Sequence, residues 1–525
     1  MPIDTPKSRR ALWAALFIYV IFGIVQIPWY RHQINPDGIS YISIAQKYWN
    51  GDFSNAVNGH FSPLLSWLLV PFIAFNIEPL LATKLLNLLI GIAAIVAMHI
   101  LTYRFSMSDN IRTAIVVSSI PVVWYFAFYL ITPDLLVSCL LLFYFSHIFA
   151  DTYPEKPGYG AACGLFGGLS FLAKSYSFPF MLYHFPTMNL IHYLRSKDAG
   201  VKTRVMKNFL SGMILFGLIS SAWILAISQK YGYLTISTQT HHNLQLMSPE
   251  PPRYPSFVRP PNETAISIWE DLYSVFPPGL WSPLQSYADF KVWLKFALSN
   301  IIPTLKIVWG FSPFVFMLIG AYALFFLVRR DKSGLQHKMM FLLITIFPYA
   351  AGYCLILVEE RYIWILCFLF MLTGGSILNS FFTDFCCAKT CRIAVLILFV
   401  ASFSFTPLKK LFKNINNGKQ LHNIGASLQR YVPPGSKIAT SDYWYKSLYL
   451  AYHIRGKIYG TAEGLTPEAL QQGLNSFAID YFIAWQGSKE NYPFLAEYKK
   501  IADAKIPELT VYCLHEKAAQ DQPEP

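Results

Sequence analysis

The chain alternates long apolar stretches with short polar ones. Segments of about 17 to 25 apolar residues recur, and each is long enough to cross a bilayer as a helix. By this length criterion the sequence predicts about eleven spans, with twelve or thirteen as the upper count. The predicted spans are residues 11–30, 80–103, 112–131, 133–150, 159–174, 178–194, 208–229, 304–328, 339–358, 362–380 and 392–408.

Two apolar segments have features that bear on whether each is a membrane span. Residues 62–77 are interrupted by Pro63 and Pro71, so they fit either a re-entrant helix or a further span. The first apolar run ends in Pro28-Trp29-Tyr30, which is typical of an aromatic belt at the interface. A cleaved signal peptide has a shorter apolar core and a small-residue cleavage site. We therefore predict an uncleaved first span.

Composition and charge agree with this architecture and add a topology. Apolar residues make up 54% of the chain and charged residues 14%, with a net charge of +13, whereas soluble domains are roughly a quarter charged. Basic residues concentrate in alternate short loops, so the positive-inside rule places the N-terminus in the cytoplasm. Segments 31–79, 230–303 and 409–525 then face outside. We predict a multi-pass protein of the plasma (inner) membrane, with no nucleic-acid partner.

The C-terminal segment, residues 409–525, changes character. Short strand-like and helix-like stretches alternate there, which predicts a small extracytoplasmic α/β domain of about a hundred residues. Residues 1–408 form the membrane module. The helix-like stretches are 421–432, 443–454 and 466–476, and the strand-like ones are 437–440, 481–484 and 509–512.

The first outside loop contains a candidate catalytic residue, Asp37. Residues 38–50 have helical periodicity and carry Trp and Tyr, which predicts an amphipathic helix in the interface plane. Asp37 directly precedes its first turn, where an N-cap is the simplest interpretation. A carboxylate held there is also placed to act as a general base. The two interpretations are compatible, since a cap fixes the position of the carboxylate.

This loop resembles the first periplasmic loop of bacterial GT-C glycosyltransferases, most closely family 39 (protein mannosyltransferase-like) and aminoarabinose transferase-like enzymes. The members move a sugar from a polyprenyl-phosphate carrier to an acceptor outside the membrane. Many carry an acidic pair where this chain has Asp37-Gly38, so a role for a divalent metal stays open. The resemblance rests on Asp37-Gly38-x-x-Tyr41-x-x-x-Ala45-x-x-Tyr48-x-x-Gly51-Asp52-Phe53, His60-Phe61-Ser62-Pro63-Leu64, Trp67-Leu68, Thr132-Pro133-Asp134-Leu135-Leu136, Ala173-Lys174 and Glu360-Arg361-Tyr362.

Each of the other candidates has a structural and a functional interpretation. Thr132-Pro133-Asp134 reads as a helix start with a Thr cap, whereas the resemblance places Asp134 in the same outer cavity as Asp37. Lys174 is either a snorkelling lysine or a phosphate contact. Arg361 is either the surface partner of Glu360 or a phosphate-gripping arginine that Glu360 orients.

The remaining candidates are histidines of the outside loops. His60 is an interfacial histidine or a contact to acceptor or phosphate. The pair His241-His242 is poor evidence for a metal, because tetrahedral zinc needs further ligands.

The resemblance implies an inverting glycosyl transfer with no nucleotide cofactor. Asp37 removes the acceptor proton, while Lys174 and Arg361 bind the donor phosphate. Asp134, His60 and Tyr41 position the acceptor or the donor. The acceptor class, whether glycolipid, glycan or protein, is left open.

Two rival functions come from other classes. A transporter or flippase predicts charges deep within the spans, whereas the candidate charges here lie at the outer ends of the spans. A non-catalytic envelope assembly protein predicts no cavity that joins Asp37, Asp134, Lys174 and Arg361.

Overall fold

A bundle of apolar helices carries a small α/β domain near the C-terminus. The structure, a computed structural model, describes residues 5–251, 254–279, 281–317, 319–320, 334–384, 388–487, 492–501 and 506–517. The helices of the bundle and its loops are α1 (Pro6–Tyr30), α2 (Pro36–Trp49), α3 (Phe53–Ala56), α4 (Leu64–Ala74), α5 (Pro79–Arg104), α6 (Asp109–Tyr129), α7 (Asp134–Ile148), α8 (Gly158–Ala173), α9 (Ser177–Arg195), α10 (Ala199–Tyr231), α11 (Gln239–Leu246), α12 (Tyr287–Ser299), α13 (Ile301–Phe311), α14 (Gly334–Cys354), α15 (Trp364–Asp384) and α16 (Lys389–Lys413).

The helices confirm a polytopic membrane protein. Seven helical stretches among the described residues are long and apolar enough to cross a bilayer, and four shorter apolar helices accompany them. One boundary differs from the prediction, because the stretch Tyr287–Phe311 begins inside the predicted loop 230–303. The predicted span 304–328 also runs into residues 318 and 321–333, which lie outside the described residues.

The Pro-interrupted segment 62–77 contains one short helix. Helix α4 has 11 residues, whereas a crossing needs about 20. It packs against α2, and Ser66 Oγ donates a hydrogen bond to the backbone oxygen of Tyr41 at 2.9 Å. The segment therefore supports α2 and is too short to be a further span.

Glycines bring helices α8 and α10 into backbone contact. A Cβ atom on Gly160 would overlap the backbone oxygen of Asn208, and one on Gly164 would overlap that of Gly212. Gly160 and Gly164 are four residues apart and lie on one face of α8. Small residues at this spacing let membrane helices approach closely, where dispersion contacts replace the missing hydrophobic driving force.

The C-terminal domain is built on a five-stranded sheet of order β2-β1-β3-β5-β4. Strands β2, β1 and β3 are parallel to one another, and β5 runs antiparallel to β3 and β4. The predicted strands are confirmed as β1, β3 and β5, whereas β2 and β4 were not predicted. Strand β2 has one fully buried aliphatic residue, Ile458, and β4 is a three-residue edge strand with two lysines. The elements are β1 (Lys437–Thr440), β2 (Lys457–Thr461), β3 (Tyr481–Trp485), β4 (Tyr498–Lys500), β5 (Leu509–Lys517), α17 (Lys419–Leu428), α18 (Trp444–His453) and α19 (Pro467–Ser476).

Helix α2 joins the membrane module to this domain. Ile39 and Ile42 on α2 share a buried apolar cluster with Leu448 and other residues of the C-terminal domain. Lys47, on the face predicted to be polar, is also buried. The C-terminal domain covers one face of α2 and the long loop covers another, so the face predicted to be polar is buried within the protein. The position of α2 in the interface plane stays a prediction.

Substitution of Gly164 by Leu should break the close approach of α8 and α10. Overpacking of this kind costs about 1–3 kcal/mol, so we expect a lower thermal unfolding temperature in detergent. Gly217→Leu is the control, because a Cβ at Gly217, on the partner helix α10, meets no atom within 4 Å. Equal melting of the two variants would contradict the packing argument.

Candidate active site

Asp37 lies in the first turn of α2 and faces a cavity. The N-cap residue is Asn35, and Pro36 takes the first helical position, where its fixed φ angle favours a helix start. The N-cap interpretation of Asp37 is thus wrong. Its Oδ1 accepts a hydrogen bond from Trp269 Nε1 at 3.0 Å, and its Oδ2 accepts one from Arg361 Nη1 at 2.5 Å. Both carboxylate oxygens are held by donors from distant segments.

Arg361 lies in the 3₁₀ turn Glu360–Ile363 that precedes α15. Its Nε donates to Glu359 Oε2 at 2.7 Å, and its Nη1 donates to Asp37. The guanidinium carbon is 5.1 Å from the centre of the Tyr362 ring. The arginine is therefore held between two carboxylates, which orient its remaining N–H groups.

Glu360 does not have its predicted place beside Arg361. Its carboxylate forms an ion pair with Lys410 of α16 and accepts a hydrogen bond from Tyr125 of α6 at 3.1 Å. The orienting carboxylate is the preceding residue, Glu359. Side chains of successive residues in this turn point to different sides, and the sequence alone does not show which glutamate faces the arginine.

A second carboxylate–cation pair, Asp134 and Lys174, lies in the same cavity. Lys174 Nζ is 2.5 Å from Asp134 Oδ1 and 3.6 Å from the centre of the Tyr362 ring. The lysine side chain is only 11% exposed, so the snorkelling interpretation is wrong.

The start of α7 also differs from its prediction. Its N-cap is Pro133, and no capping hydrogen bond comes from Thr132, whose hydroxyl is buried without a partner among the described residues. Asp134 Oδ2 is likewise buried, and no described residue donates a hydrogen bond to it. That carboxylate oxygen keeps an unused acceptor site.

One cavity of about 560 Å³ joins these groups. Four parts of the chain line it: the first outside loop with α2, the ends of the membrane helices, the loop after α10, and the edge of the C-terminal domain. Besides the two ion pairs, its lining includes Tyr41, His60, Gln239, His242, Asn243, Tyr254, Trp269, Glu359, Tyr362, Trp444, Tyr445, Tyr459, Thr461 and Glu463.

The two cavity histidines are neutral at physiological pH. Burial and the neighbouring His242 lower the pKa of His60 to about 3, against the opposing effect of Asp37. Burial also lowers the pKa of His242 to about 4, and its ring centre is 5.6 Å from that of His60. Among the described residues, no group of three or more His, Cys, Asp or Glu side chains is placed to hold a metal ion.

Asp37 and Arg361 are both ionised in this site. Burial opposes ionisation of Asp37, but the charge of Arg361 and the hydrogen bonds from Arg361 and Trp269 outweigh it, so the Asp37 pKa is lowered. The charge of Arg361 is in turn balanced by the carboxylates of Asp37 at 2.5 Å and Glu359 at 2.7 Å. Each charge therefore stabilises the other away from bulk water.

A buried ion pair fixes the segment that carries Trp269. Trp269 lies in the 3₁₀ turn Ile268–Glu270, and Glu270 pairs with Lys47 of α2. Both side chains are 3% exposed. Asn58 Nδ2 also donates to the backbone oxygen of Glu270 at 2.7 Å. The turn is thus tied to the same helix that carries Asp37.

Several site residues were not predicted from the sequence. Trp269 contacts the predicted residue Asp37 and Glu359 contacts the predicted residue Arg361. His242 had been considered only as a metal ligand. Trp444 and Tyr445 reach the cavity from the start of α18. No motif distinguishes these residues, because loop tryptophans and tyrosines are also typical of interfacial anchors.

Comparison with known proteins identifies the fold. No protein-family model matches the sequence, and no curated protein matches it. Among solved structures, apo ArnT from Cupriavidus metallidurans aligns with a TM-score of 0.56 at 13% identity, covering 95% of this chain and 97% of that one. The same enzyme bound to undecaprenyl phosphate gives 0.58 at 12% identity, covering 94% and 97%.

A third similar solved structure is an oligosaccharyltransferase. The oligosaccharyltransferase of Archaeoglobus fulgidus, in complex with Zn and sulfate, aligns with a TM-score of 0.55 at 12% identity, covering 90% of this chain and 68% of that one. These neighbours are GT-C superfamily membrane glycosyltransferases. The chain therefore has the GT-C fold that the sequence resemblance implies.

Breaking the pair that anchors the Trp269 segment should destabilise the protein. Lys47→Met leaves the Glu270 carboxylate buried and unpaired, a change that costs about 3–5 kcal/mol. The double variant Lys47→Met/Glu270→Leu should regain most of this loss, as measured by thermal unfolding in detergent. Lys499→Met is the control, since that lysine is 58% exposed in its pair with Glu516 and exposed pairs contribute about 0–1 kcal/mol. Equal effects of Lys47→Met and the control would refute the anchor.

Proposed function

We propose that this protein is a glycosyltransferase that moves a sugar, with inversion, from a polyprenyl-phosphate carrier to an acceptor at the outer face of the plasma membrane. The observation that carries the proposal is the single cavity, within a GT-C fold, that joins Asp37, Arg361, Asp134 and Lys174. Support for a polyprenyl carrier comes from the similar ArnT structure that holds undecaprenyl phosphate. Such a cavity also argues against a non-catalytic assembly protein.

Arg361 and Lys174 are the proposed ligands of the donor phosphate. An arginine matches phosphate oxygens with two parallel N–H donors, and a lysine adds a compact point charge. Both cations line the cavity and both contact Tyr362. We infer from this shared neighbour that the two cations bind one phosphate group together.

Donor binding requires Arg361 to exchange partners. In inverting transfer the acceptor oxygen and the leaving phosphate lie on opposite faces of the anomeric carbon. The base and the phosphate ligand are in contact at 2.5 Å in this structure, which is too close for both roles at once. The phosphate therefore takes Arg361 from Asp37, and the carboxylate becomes available to the acceptor.

The proposed chemical step needs no cofactor. An acceptor hydroxyl oxygen forms a bond to the anomeric carbon while the bond from that carbon to the phosphate oxygen breaks. Asp37 takes the hydroxyl proton, and the electron pair of the broken bond stays on the polyprenyl phosphate. Arg361 and Lys174 stabilise the charge that develops there.

Asp134, His60 and Tyr41 would position the substrates around this step. The C-terminal domain and the loop after α10 would bind the acceptor, whether glycolipid, glycan or protein. Their contribution is aromatic and mostly neutral: Tyr254, Trp444, Tyr445, Tyr459 and Thr461, with Glu463 as one carboxylate. A hydroxyl-rich acceptor fits such a surface, because aromatic faces and neutral hydrogen-bonding groups suit uncharged polar ligands.

We expect transfer to need no divalent metal. A hard cation requires several oxygen ligands, whereas Arg361 and Trp269 hold both oxygens of Asp37 and Lys174 holds one oxygen of Asp134. The second oxygen of Asp134 is then the one carboxylate oxygen left in these two pairs. The donor set as arranged here does not fit a metal, and the proposed step uses none.

Asp37→Asn should abolish transfer while improving donor binding. The amide cannot take the proton, and loss of a general base typically costs about 10²–10⁴-fold in rate. Because the amide holds Arg361 less strongly, the variant should bind undecaprenyl phosphate more tightly than the wild type. The measurements are sugar transfer by purified protein from undecaprenyl-phosphate monosaccharides, and titration with undecaprenyl phosphate.

The control for this experiment is Asp52→Asn. Asp52 belongs to the same loop and hydrogen-bonds to its neighbours Ser54 and Asn55. That variant should keep both properties. Near-normal transfer by folded Asp37→Asn protein would refute the base assignment.

Arg361→Ala should weaken donor binding. Hydrogen bonds to a charged group are worth about 1.5–3 kcal/mol, so we expect at least a tenfold higher Kd for undecaprenyl phosphate. Arg31→Ala is the control, because Arg31 is an exposed cation of the first outside loop. An unchanged Kd in the Arg361 variant would show that this arginine does not bind the phosphate.

A further inference from the structure

We propose that Trp269 is the positioning residue of the base: its indole N–H holds the Asp37 carboxylate toward the acceptor while Arg361 is bound to the donor phosphate. This inference rests on the proposed function. It concerns a residue of the long loop, outside every motif on which the GT-C resemblance depends.

The contact is direct. Trp269 Nε1 donates to Asp37 Oδ1 at 3.0 Å, and Arg361 contacts the other oxygen. The hydrogen bonds that reach the Asp37 carboxylate from described residues come from these two side chains alone. When the phosphate takes Arg361, the indole is therefore the donor that remains on the carboxylate.

The indole is well suited to this task because it has one N–H and no charge. A phosphate competes with a carboxylate for a cation. A neutral indole attracts the phosphate much less than a cation does. Trp269 can therefore stay on Asp37 while the cations change partner. The oxygen that Arg361 leaves, Oδ2, becomes the acceptor for the proton.

The position of Trp269 is set from three sides. Glu270 anchors its turn to Lys47 of α2, and Ser267 Oγ accepts a hydrogen bond from the Trp269 backbone N–H at 3.2 Å. The ring packs edge-on against His242, with centres 6.0 Å apart, and lies 5.5 Å from Trp444 of the C-terminal domain. A fixed ring gives the carboxylate a fixed direction, which general base catalysis requires.

The hydrogen bond also tunes the base. A donor to the ionised form of a carboxylate lowers its pKa, and removal of that donor raises it. The protein uses Asp37 in the ionised form, so activity falls as pH drops through this pKa. Loss of the indole N–H should move that fall to higher pH. The other titratable groups that interact with Asp37 are Arg361, His60, Tyr41, His242, Tyr362 and Tyr449.

The test is Trp269→Phe, which keeps an aromatic ring and removes the N–H. We expect kcat to fall about tenfold to a hundredfold, as for the loss of a hydrogen bond to a charged group. The acid limb of the kcat profile should shift to higher pH, while the Kd for undecaprenyl phosphate stays close to that of the wild type. Replacement of Trp269 by 3-benzothienylalanine, which has the shape of tryptophan without its N–H, should give the same shift.

Trp281→Phe is the matched control. Trp281 lies in the same long loop and donates its indole N–H to another aspartate, Asp289, at 2.7 Å, but it does not line the cavity. That variant should keep the wild-type kcat and pH profile.

Two results would overturn the proposal. One is an unshifted acid limb in both Trp269 replacements, even with lower stability, because a purely structural tryptophan predicts this pattern. The other is a shift of the acid limb in Trp269→Phe that is no larger than the shift in Trp281→Phe. Failure of the proposed function is distinct, since it appears as transfer retained by Asp37→Asn.

Discussion

The ion pair between Asp37 and Arg361 is the constraint around which this site is built. It joins residues 324 positions apart in the sequence, and both side chains are largely buried. An unpaired charge in such a place costs several kcal/mol, and a pair is tolerated only with good geometry and further hydrogen bonds. Trp269 and Glu359 supply those hydrogen bonds. The start of α2, the long loop and the turn before α15 therefore have to meet at one point.

The same constraint explains why so much of the site could be predicted from sequence. Charges are rare in an apolar chain, so Asp37, Asp134, Lys174 and Arg361 stand out wherever they occur near the end of a span. Span lengths and the positive-inside rule place them at one side of the membrane in the prediction. The structure brings all four to one cavity, and the solved neighbours identify the fold that holds them.

What the sequence could not provide is the direction of individual side chains. Asp37 was expected to cap its helix, but Asn35 takes that position. Glu360 was expected beside Arg361, yet Glu359 is there. Each prediction was wrong by one or two residues. An error of that size changes which side chain forms a hydrogen bond, but it does not change the assignment of a span. Periodicity resolves the face of a long helix and does not resolve a tight turn.

The aromatic residues that line the cavity, Trp269 and Trp444, were not predicted for a related reason. Trp269 and Trp444 come from a loop and from the C-terminal domain, and their contact depends on how those parts fold over α2. The apolar face of α2 lies in the core of that domain, while Lys47 on another face holds the loop. Helix α2, which was predicted to lie in the interface, thus contacts and supports both the C-terminal domain and the long loop.

This arrangement makes the resting site self-neutralised, with consequences for catalysis. Each cation proposed to bind the phosphate already holds a carboxylate. Under the proposed mechanism the donor phosphate displaces Asp37 from Arg361, which lowers the net affinity for the donor. In return, the cations stay oriented without solvent, and the base stays paired until a phosphate arrives. The proposed mechanism therefore predicts that acceptor activation follows donor binding, because the same guanidinium holds Asp37 before and the phosphate after. In that sequence the neutral indole of Trp269 matters most, since it holds the carboxylate through the exchange without competing for either charge.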